Sequence, residues 1–402
     1  MVDFTLTEQQ LAMQKMARDF AEREIKPVAM EREKIPDPKE AFPVDLFKKS
    51  FELDLHKTCI PAKYGGLGLD CLTHVIIWEE LAAADAGFCV SYEGHVTTLT
   101  FMMNIATEEQ REVFLRAVTE GEGGLVAIAT TEPNVGPGWP IDDPFNYVME
   151  TTARLEGDEY VLNGNKSFCT NGGTPITKWY DIQARTDMTK PGVEAHSSFL
   201  VWPDTPGLTL GKSADKMGQR LSYNAELYLD DLRVPKSHIL GGRPGVGFDV
   251  ATRADRLCTL DPWATIGGLS LGLARSAYEA ALDYAKRRLI LGRPAIQFQL
   301  VGAKLADMFI QIEAARALAW KAANYSDTHP QSDLKLTFAT KVMTSDTAVK
   351  VASEAVQIFG GVGYTKENVV EKIYRDAKVT QIYEVSNELC RLGIAHFLEW
   401  GV

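Results

Sequence analysis

The segment Gln357-Ile358-Phe359-Gly360-Gly361-Val362-Gly363-Tyr364 follows directly on a helical pattern over residues 333–358. Glycines at this place end a helix, because glycine adopts the required backbone conformations without steric cost. The full G-x-G-x-x-G of a dinucleotide-binding loop is missing, and so is the strand that must precede it. The segment therefore predicts a helix end where the backbone comes close to another group, which can be a cofactor.

The chain around this segment is helical from about residue 238 to the C-terminus. Mostly small residues recur there at helical spacing and let helices pack closely, as in a bundle: Ala274, Ala277, Tyr278, Ala281 and Ala285. Further helices are predicted over 296–324, 333–358 and 366–378, and near 386–398.

The chain before residue 238 has two other patterns. Residues up to 122 are again helical, starting at Thr7, which forms a capping-box pattern with Gln10. Beyond Gly121-Glu122-Gly123-Gly124 come short β-type segments with frequent turns, and Asn163-Gly164 predicts a hairpin. We therefore expect an α+β multi-domain fold: a helical domain (1–122), a middle β domain (123–237) and a helical bundle (238–402).

Composition narrows the class of protein. The 402 residues carry 42 Lys and Arg against 54 Asp and Glu, a net charge of −12. Nucleic acids and anionic membranes both attract basic surfaces, so neither partner is expected. Six cysteines without a C-x-x-C pair indicate free thiols in a reducing compartment. Neither a signal peptide nor a run of about 18 apolar residues is seen, which favours a cytoplasmic enzyme.

Two patterns typical of catalytic or metal sites have simpler interpretations. Gly268-Leu269-Ser270-Leu271-Gly272 matches the nucleophile elbow of hydrolases, but it runs into the Ala-rich helical stripe without a clear turn before it. Small residues that ease helix packing explain it better. The seven histidines show no metal-ligand spacing and H-E-x-x-H is absent, so no metal site is expected.

Two paired features are more specific. The first joins Thr130-Thr131-Glu132-Pro133-Asn134-Val135-Gly136 to the stretch Leu162–Gly173, LNGNKSFCTNGG. The second joins the Gln357–Tyr364 segment to Tyr374-Arg375-Asp376-Ala377-Lys378 and Ile382-Tyr383-Glu384. In this order and spacing they resemble the acyl-CoA dehydrogenase family, and the resemblance covers essentially the whole chain. It implies an N-terminal helical domain, a middle β-barrel-like domain, a C-terminal four-helix bundle, FAD and a homotetramer.

The implied reaction is α,β-dehydrogenation of an acyl-CoA thioester, with electrons passing to an electron-transfer flavoprotein. The α-proton is weakly acidic and needs a carboxylate base held partly dry, since desolvation raises a carboxylate's pKa. By resemblance that base is Glu384, in Tyr383-Glu384-Val385-Ser386. Alternatively Glu384 is a carboxylate favoured by the N-terminus of the following helix.

The resemblance places thirteen residues at the cofactor: Ile128, Thr130, Thr131, Gly136, Phe168, Cys169, Thr170, Arg288, Phe298, Gln357, Gly361, Ser386 and Glu388. Thr131 is expected at the pyrimidine edge of the flavin and Thr170 near its N5. Phe168 takes the place of the family's flavin-facing aromatic, or is an ordinary inward strand residue. Arg288 is expected at the pyrophosphate bound by a neighbouring subunit, and Gln357 and Gly361 at the adenosine side.

Six residues are expected at the acyl-CoA: Glu93, His95, Pro137, Arg253, Arg256 and Val385. Pro137 replaces a family Ser and Val385 a family Gly. Extra residues before Gly272 put Trp263 where the family has its CoA-binding Arg, and Arg253 or Arg256 is a substitute from the longer loop. Either arginine is otherwise a surface charge.

Glu93 and His95 are unusual polar residues in a segment that aligns with a substrate-pocket helix. They are either a satisfied polar pair or contacts to a cyclic, aromatic or carboxylated acyl group, because an ionised group in a pocket must be paired. Two other functions remain open: an acyl-CoA oxidase of the same fold, and a non-catalytic flavoprotein that serves assembly or protection.

Overall fold

The computed structural model of the chain describes residues 5–136, 149–190, 195–247, 262–329 and 333–400. Over these ranges helices come first, then a sheet, then helices, and this order confirms the predicted fold class. None of the helices in the described ranges has the length and apolar character needed to cross a membrane.

The N-terminal helices begin at the predicted cap, where Thr7 and Gln10 form a capping box. The helices are α1 (Glu8–Phe20), a π-helical turn (Ala21–Ile25), α2 (Lys26–Glu33), α3 (Pro38–Ala41), α4 (Val44–Phe51), α5 (Cys71–Ala84), α6 (Ala86–Ile105) and α7 (Glu108–Thr119). Helices α5 and α6 are buried on nearly every side, as helices that are apolar all round must be. The core of the molecule therefore contains α6, the helix that carries Glu93.

The middle domain is a seven-stranded sheet with neighbour order β1-β4-β2-β3-β7-β6, to which β5 is added beside β4. Its strands are β1 (Leu125–Ala129), β2 (Thr152–Glu156), β3 (Glu159–Thr170), β4 (Thr177–Arg185), β5 (His196–Val201), β6 (Leu208–Ser213) and β7 (Asn224–Pro235). Strands β3 and β7 are the longest and pair antiparallel along their length.

Asn163-Gly164 is not the predicted hairpin. The turn comes earlier, at 157–158, because Glu156 of β2 pairs with Glu159 of β3. Asn163-Gly164 lies inside β3 at a bulge, where the register against β7 shifts between Leu162 and Gly164. The Asn163 amide bonds Asp231 across the bulge at 3.0 Å, and a Cβ on Gly164 would clash with Thr151. The dipeptide therefore favours a bulge rather than a chain reversal.

The C-terminal part is a helical bundle with a small two-stranded sheet, β8 (Leu289–Ile290) and β9 (Arg293–Pro294). Its helices are α8 (Pro262–Arg287), α9 (Gln299–Thr328), α10 (Leu334–Phe359), α11 (Val369–Lys378) and α12 (Asn387–Trp400). Helix α8 packs on α5, where a Cβ on Gly272 would lie 2.5 Å from the Glu79 carbonyl oxygen. The Ser270 hydroxyl is buried and donates to Ile266 O, so the glycines serve helix packing as predicted.

Candidate active site

The ends of β1 and β3 lie side by side and form the first part of the site. Ser167 N donates to Thr131 O at 2.8 Å, and Cys169 Sγ donates to Ile128 O at 3.3 Å. These bonds bring the predicted residues of the two strands together. Because the Cys169 side chain is buried, a cofactor contact from this position is limited to its main chain.

A buried ion pair fixes this junction. Lys166 Nζ on β3 lies 2.8 Å from Glu132 Oε1 and 3.2 Å from Thr130 O, and both charged side chains are almost fully buried. The second Glu132 oxygen accepts the Glu150 N–H at 2.6 Å. Burial alone raises the pKa of Glu132, but Lys166 and the hydrogen bonds hold it below its ordinary value. The sequence analysis missed this pair, although both residues lie within the quoted motifs.

Phe168 and Thr170 lie on the open side of the junction. The Phe168 side chain is 64% exposed and its backbone has φ +56°, a conformation uncommon outside glycine. Thr170 is half-buried. A large exposed aromatic ring on a strained backbone is typical of a surface that a ligand covers.

Glu384 lies between α11 and α12, also with φ in the left-handed region at +60°. Burial raises the pKa of its carboxyl, and the Lys341 ammonium on α10 acts in the opposite direction. A carboxylate in such a partly dry site is a stronger proton acceptor than one in water. These are the properties predicted for the base.

Glu93 on α6 faces Glu384. Its side chain is 1% exposed, and Oε1 accepts the Thr97 hydroxyl at 2.9 Å. Burial, then the charge of Glu384, raises the pKa of Glu93 well above its usual value, while hydrogen bonds from Thr97 and Thr265 oppose the shift. Its Oε2 makes no hydrogen bond to the described chain. Ionisation of Glu384 therefore favours the protonated form of Glu93.

Helix α6 also touches the end of β3. A Cβ on Gly94 would lie 3.5 Å from Thr170 Cγ2, an ordinary van der Waals contact. Neighbouring residues of a helix point about 100° apart, so Gly94 and the Glu93 carboxyl lie on different faces of α6. The same turn of α6 thus contacts the end of β3 through Gly94 and carries the carboxyl that the charge of Glu384 affects.

Lys341 is a residue that the sequence analysis missed. It is 1% exposed, and its Nζ lies 2.7 Å from Asn387 Oδ1 at the start of α12. Burial lowers its pKa, and Cys390, Glu384, Asp346 and Glu388 oppose this. The available signal was a lysine on the buried face of a predicted helix. Lys341 supplies a positive charge near the base, which favours its ionised form.

His95 is not a substrate contact, and that prediction is wrong. Its Nε2 bonds His56 O at 2.7 Å, and its Nδ1 accepts the Val126 N–H at 3.0 Å. Burial lowers its pKa to about 3, so the ring is neutral and both nitrogens serve the main chain. His95 therefore links α6 to the segment between α4 and α5, which contains His56, and to β1.

The residues that follow Glu384 lie in two different environments, the start of α12 and a buried cluster. Ser386 Oγ accepts the Leu389 N–H at 3.3 Å and so caps α12, while Glu388 is exposed on its first turn. Val385 packs with Trp263, Phe338 and Cys390 in a separate buried cluster. Trp263 and Phe338 make an edge-to-face contact with centroids 4.9 Å apart.

A second group of predicted residues lies at the end of α8, before α9 and at the end of α10. Arg288 and Gln357 are exposed, and Phe298 is half-buried beneath the Arg293 guanidinium, 4.2 Å from its centroid. Tyr284, one turn before Arg288, stacks on Phe359 at 4.1 Å. Gly360 has φ +67°, and nothing lies within 4 Å of a Cβ on Gly360 or Gly361. The predicted helix end is thus present, with open space beside it.

Comparison with known proteins supports the same assignment. Family models of the acyl-CoA dehydrogenase N-terminal, middle and C-terminal domains match residues 7–122, 127–232 and 264–398. The chain belongs to the acyl-CoA dehydrogenase family. It is therefore an oxidoreductase that acts on a CH–CH bond.

Three similar proteins illustrate the range of this family. An acyl-CoA dehydrogenase of Bacillus subtilis (strain 168) is 37% identical over 98% of this chain and 99% of its own length. A 3-(aryl)acrylate reductase of Clostridium sporogenes (strain ATCC 15579) is 35% identical over 97% and 98%. The structure of butyryl-CoA dehydrogenase from Megasphaera elsdenii has a TM-score of 0.90 at 36% identity, covering 99% of this chain and all of that one.

Acyl-CoA dehydrogenases are FAD flavoproteins, and the site of this family member fits such a group. The exposed Phe168 ring offers a flat apolar surface, and a Cβ on Gly136 would meet nothing within 4 Å. The predicted substrate residues Pro137, Arg253 and Arg256 lie outside the described residues. Among the residues that are described, no group of three or more His, Cys, Asp or Glu is arranged to hold a metal ion.

Proposed function

We propose that this acyl-CoA dehydrogenase uses FAD and that Glu384 removes the α-proton of an acyl-CoA thioester. The observation that carries the proposal is the buried Glu384 carboxyl, whose pKa burial raises and the nearby Lys341 lowers, in a chain whose helix α6 contacts Thr170 one residue after Glu93. When bound, FAD accepts the β-hydrogen as hydride. The chain's own groups position the thioester and take up the proton.

The cofactor residues divide between the two groups. Phe168, Thr170 and Thr131 would hold the flavin ring, and Ile128, Thr130 and Gly136 would border it from the end of β1. Arg288, Phe298, Gln357 and Gly361 are exposed or half-buried, which agrees with contacts to the FAD of a neighbouring subunit in a homotetramer. Ser386 and Glu388 would contribute from the start of α12. An electron-transfer flavoprotein is the proposed acceptor.

The acyl group is proposed to be cyclic, aromatic or carboxylated rather than a plain fatty acyl chain. Glu93 supports this, because a protonated carboxyl with a free Oε2 inside the protein can hydrogen-bond a polar acyl substituent. Val385 follows Glu384 directly and packs on the buried Trp263–Phe338 pair, so aromatic side chains lie near the candidate base. A plain alkyl chain would leave Glu93 without such a partner.

A substrate panel tests this proposal. Purified enzyme is mixed anaerobically with cyclic, aryl and dicarboxylic acyl-CoA thioesters and with butyryl- to octanoyl-CoA, and bleaching of the flavin is timed. We expect a member of the first set to react fastest, and Glu93→Leu to slow that substrate at least tenfold relative to Glu93→Gln. Fastest bleaching by butyryl- to octanoyl-CoA contradicts the substrate assignment. Hydrogen peroxide formation without an added acceptor would instead assign an oxidase.

A further inference from the structure

Residues 214–223 form the loop between β6 and β7 in the middle domain. This loop contacts helices of the N-terminal and C-terminal domains. A Cβ on Gly218 would lie 2.6 Å from the Arg375 carbonyl on α11, and one on Gly87 of α6 would lie 2.9 Å from the main chain of Gln219. Gln219 N donates to Asp376 Oδ1 at 2.5 Å. The loop is therefore held against both helices by its main chain.

Within this loop, Lys216 points toward the start of β7. Its Nζ donates to Ser222 O at 2.8 Å, to Ser222 Oγ at 2.5 Å and to Asn224 Oδ1 at 2.5 Å. An ammonium group has three donors and no acceptor. Burial lowers the pKa of Lys216 to about 7, and the charges of Asp376 and Asp85 oppose this shift. In the ammonium form all three hydrogens are engaged, and the Asn224 atom that faces Lys216 is then the oxygen.

The orientation of the Asn224 amide determines which of its groups faces Thr170 on β3. It pairs with Thr170 across the sheet, and its Nδ2 lies 2.9 Å from Thr170 Oγ1 and 3.4 Å from Phe168 O. A flipped amide would place two donors together at Lys216, so the lysine determines that the NH₂ group faces Thr170. The Thr170 hydroxyl then accepts a hydrogen bond from inside the protein.

We propose that Lys216 and Asn224 are positioning residues that turn the Thr170 O–H outward, toward the edge of the bound flavin. A hydroxyl that accepts from Asn224 keeps its own hydrogen to donate elsewhere. Within the described residues the Thr170 hydroxyl accepts from Asn224 and donates no hydrogen bond of its own. The proposal rests on the placement of Thr170 at the flavin given above.

Asn224→Asp tests the direction of the hydrogen bonds from Lys216 to Thr170 with little change in the shape of the side chain. A carboxylate accepts from Lys216 as the amide oxygen does, but it also accepts from Thr170, so the Thr170 hydrogen turns inward. The added charge acts whether or not the hydroxyl is present. The variant is therefore compared with the native residue in two backgrounds, the native chain and Thr170→Val, so that the difference isolates the hydroxyl.

The readouts are the midpoint potential of the bound flavin, its absorption bands and its rate of reduction by the fastest thioester. We expect Asn224→Asp to change the reduction rate about tenfold more in the native background than in Thr170→Val, as for the loss of one hydrogen bond. The potential should show the same dependence on the hydroxyl. Equal changes in both backgrounds, or none in either, overturn the proposal.

Two further measurements separate the possible failures. Lys216→Met removes the lysine donors and should act in the same direction as Asn224→Asp, with a smaller effect because Ser222 Oγ still lies 3.2 Å from Asn224 Oδ1. Circular dichroism and FAD content report folding. If no thioester bleaches the native enzyme, the proposed function fails. The midpoint potential of the bound flavin still tests the hydrogen bonds that link Lys216, Asn224 and Thr170.

Discussion

Glu93 and Glu384 come from the first and the last domain, yet their carboxyls face one another closely enough for the charge of one to raise the pKa of the other. A neighbouring like charge disfavours the ionised form of a carboxyl. Lys341 favours the ionised form of Glu384, whereas Glu93 receives only hydroxyl donors. Of the two carboxyls, Glu384 is thus the one whose negative charge a nearby cation stabilises, and Glu93 is the one that keeps its proton more readily.

The first prediction concerns the base. Glu384→Gln should keep the bound flavin and its yellow colour, because glutamine has the same shape, but it removes the proton acceptor. Anaerobic bleaching by the best thioester should slow at least 10³-fold, in the range of general-base loss. Glu399→Gln is the matched control: this glutamate is exposed near the end of α12, away from the site, and the variant should bleach at nearly the native rate. Native-rate bleaching by Glu384→Gln would mean that another group is the base.

The second prediction concerns pH. The Lys341 ammonium lowers the pKa of Glu384 against the effect of burial, so Lys341→Met should raise it. The base works only when ionised, and reduction of the flavin should therefore fail at a higher pH on the acidic side of the profile. Measuring the reduction rate from pH 5 to 9 checks the shift. Lys350→Met, an exposed lysine on the same helix, should leave the acidic side unchanged. An unchanged profile for Lys341→Met contradicts the assigned role.

Local patterns in the sequence predicted the local structure well. The Thr7 cap, the helix end at Gly360 and the packing role of Gly272 all depend on neighbours along the chain, and the structure has each of them. Asn163-Gly164 shows the limit of local reasoning. The same dipeptide fits a hairpin or a bulge, and the pairing of β3 with β7 decides between them.

Residues of the site that depend on long-range packing were harder to predict. His95 and Glu93 lie on the same helix, and the sequence treated them together, either as a satisfied polar pair or as substrate contacts. The structure separates them, because the carbonyl of His56 and the amide of Val126 reach His95, whereas Glu384 faces Glu93. Such contacts join segments that are far apart in the chain, and the spacing of apolar residues in the sequence does not predict them.

The third prediction concerns the contact between the first and last domains. A Cβ at position 272 would lie 2.5 Å from the Glu79 carbonyl oxygen and 2.8 Å from Ala82 Cβ, so Gly272→Ala forces α8 away from α5. The free energy of unfolding should fall by about 1–3 kcal/mol, as for overpacked cores. Urea or thermal denaturation measures it.

Gly267→Ala is the control for that contact, since it adds the same methyl group to the same helix. Its nearest neighbour would be Thr340 Cγ2 at 3.2 Å, a side-chain atom that can move. It should be close to neutral, because alanine favours a helix over glycine by about 1 kcal/mol. Equal losses in both variants would mean that the close approach of the Glu79 carbonyl is not what makes position 272 sensitive.

The fourth prediction concerns the dependence of stability on pH. Asp181 on β4 is fully buried beside Ser198, and neither carboxyl oxygen has a hydrogen-bond partner in the described chain. Burial raises its pKa to about 7. The folded chain thus binds a proton that the unfolded chain releases near pH 4, so stability falls as pH rises from about 4 to about 7. Asp181→Asn should remove that loss and stabilise the protein on the order of 2 kcal/mol at pH 8, with little gain at pH 4.

Thermal denaturation at both pH values checks this against Asp204→Asn, an exposed aspartate that should give no pH-dependent gain. A gain for Asp181→Asn that is the same at pH 4 and pH 8 would place the effect in packing rather than in the proton.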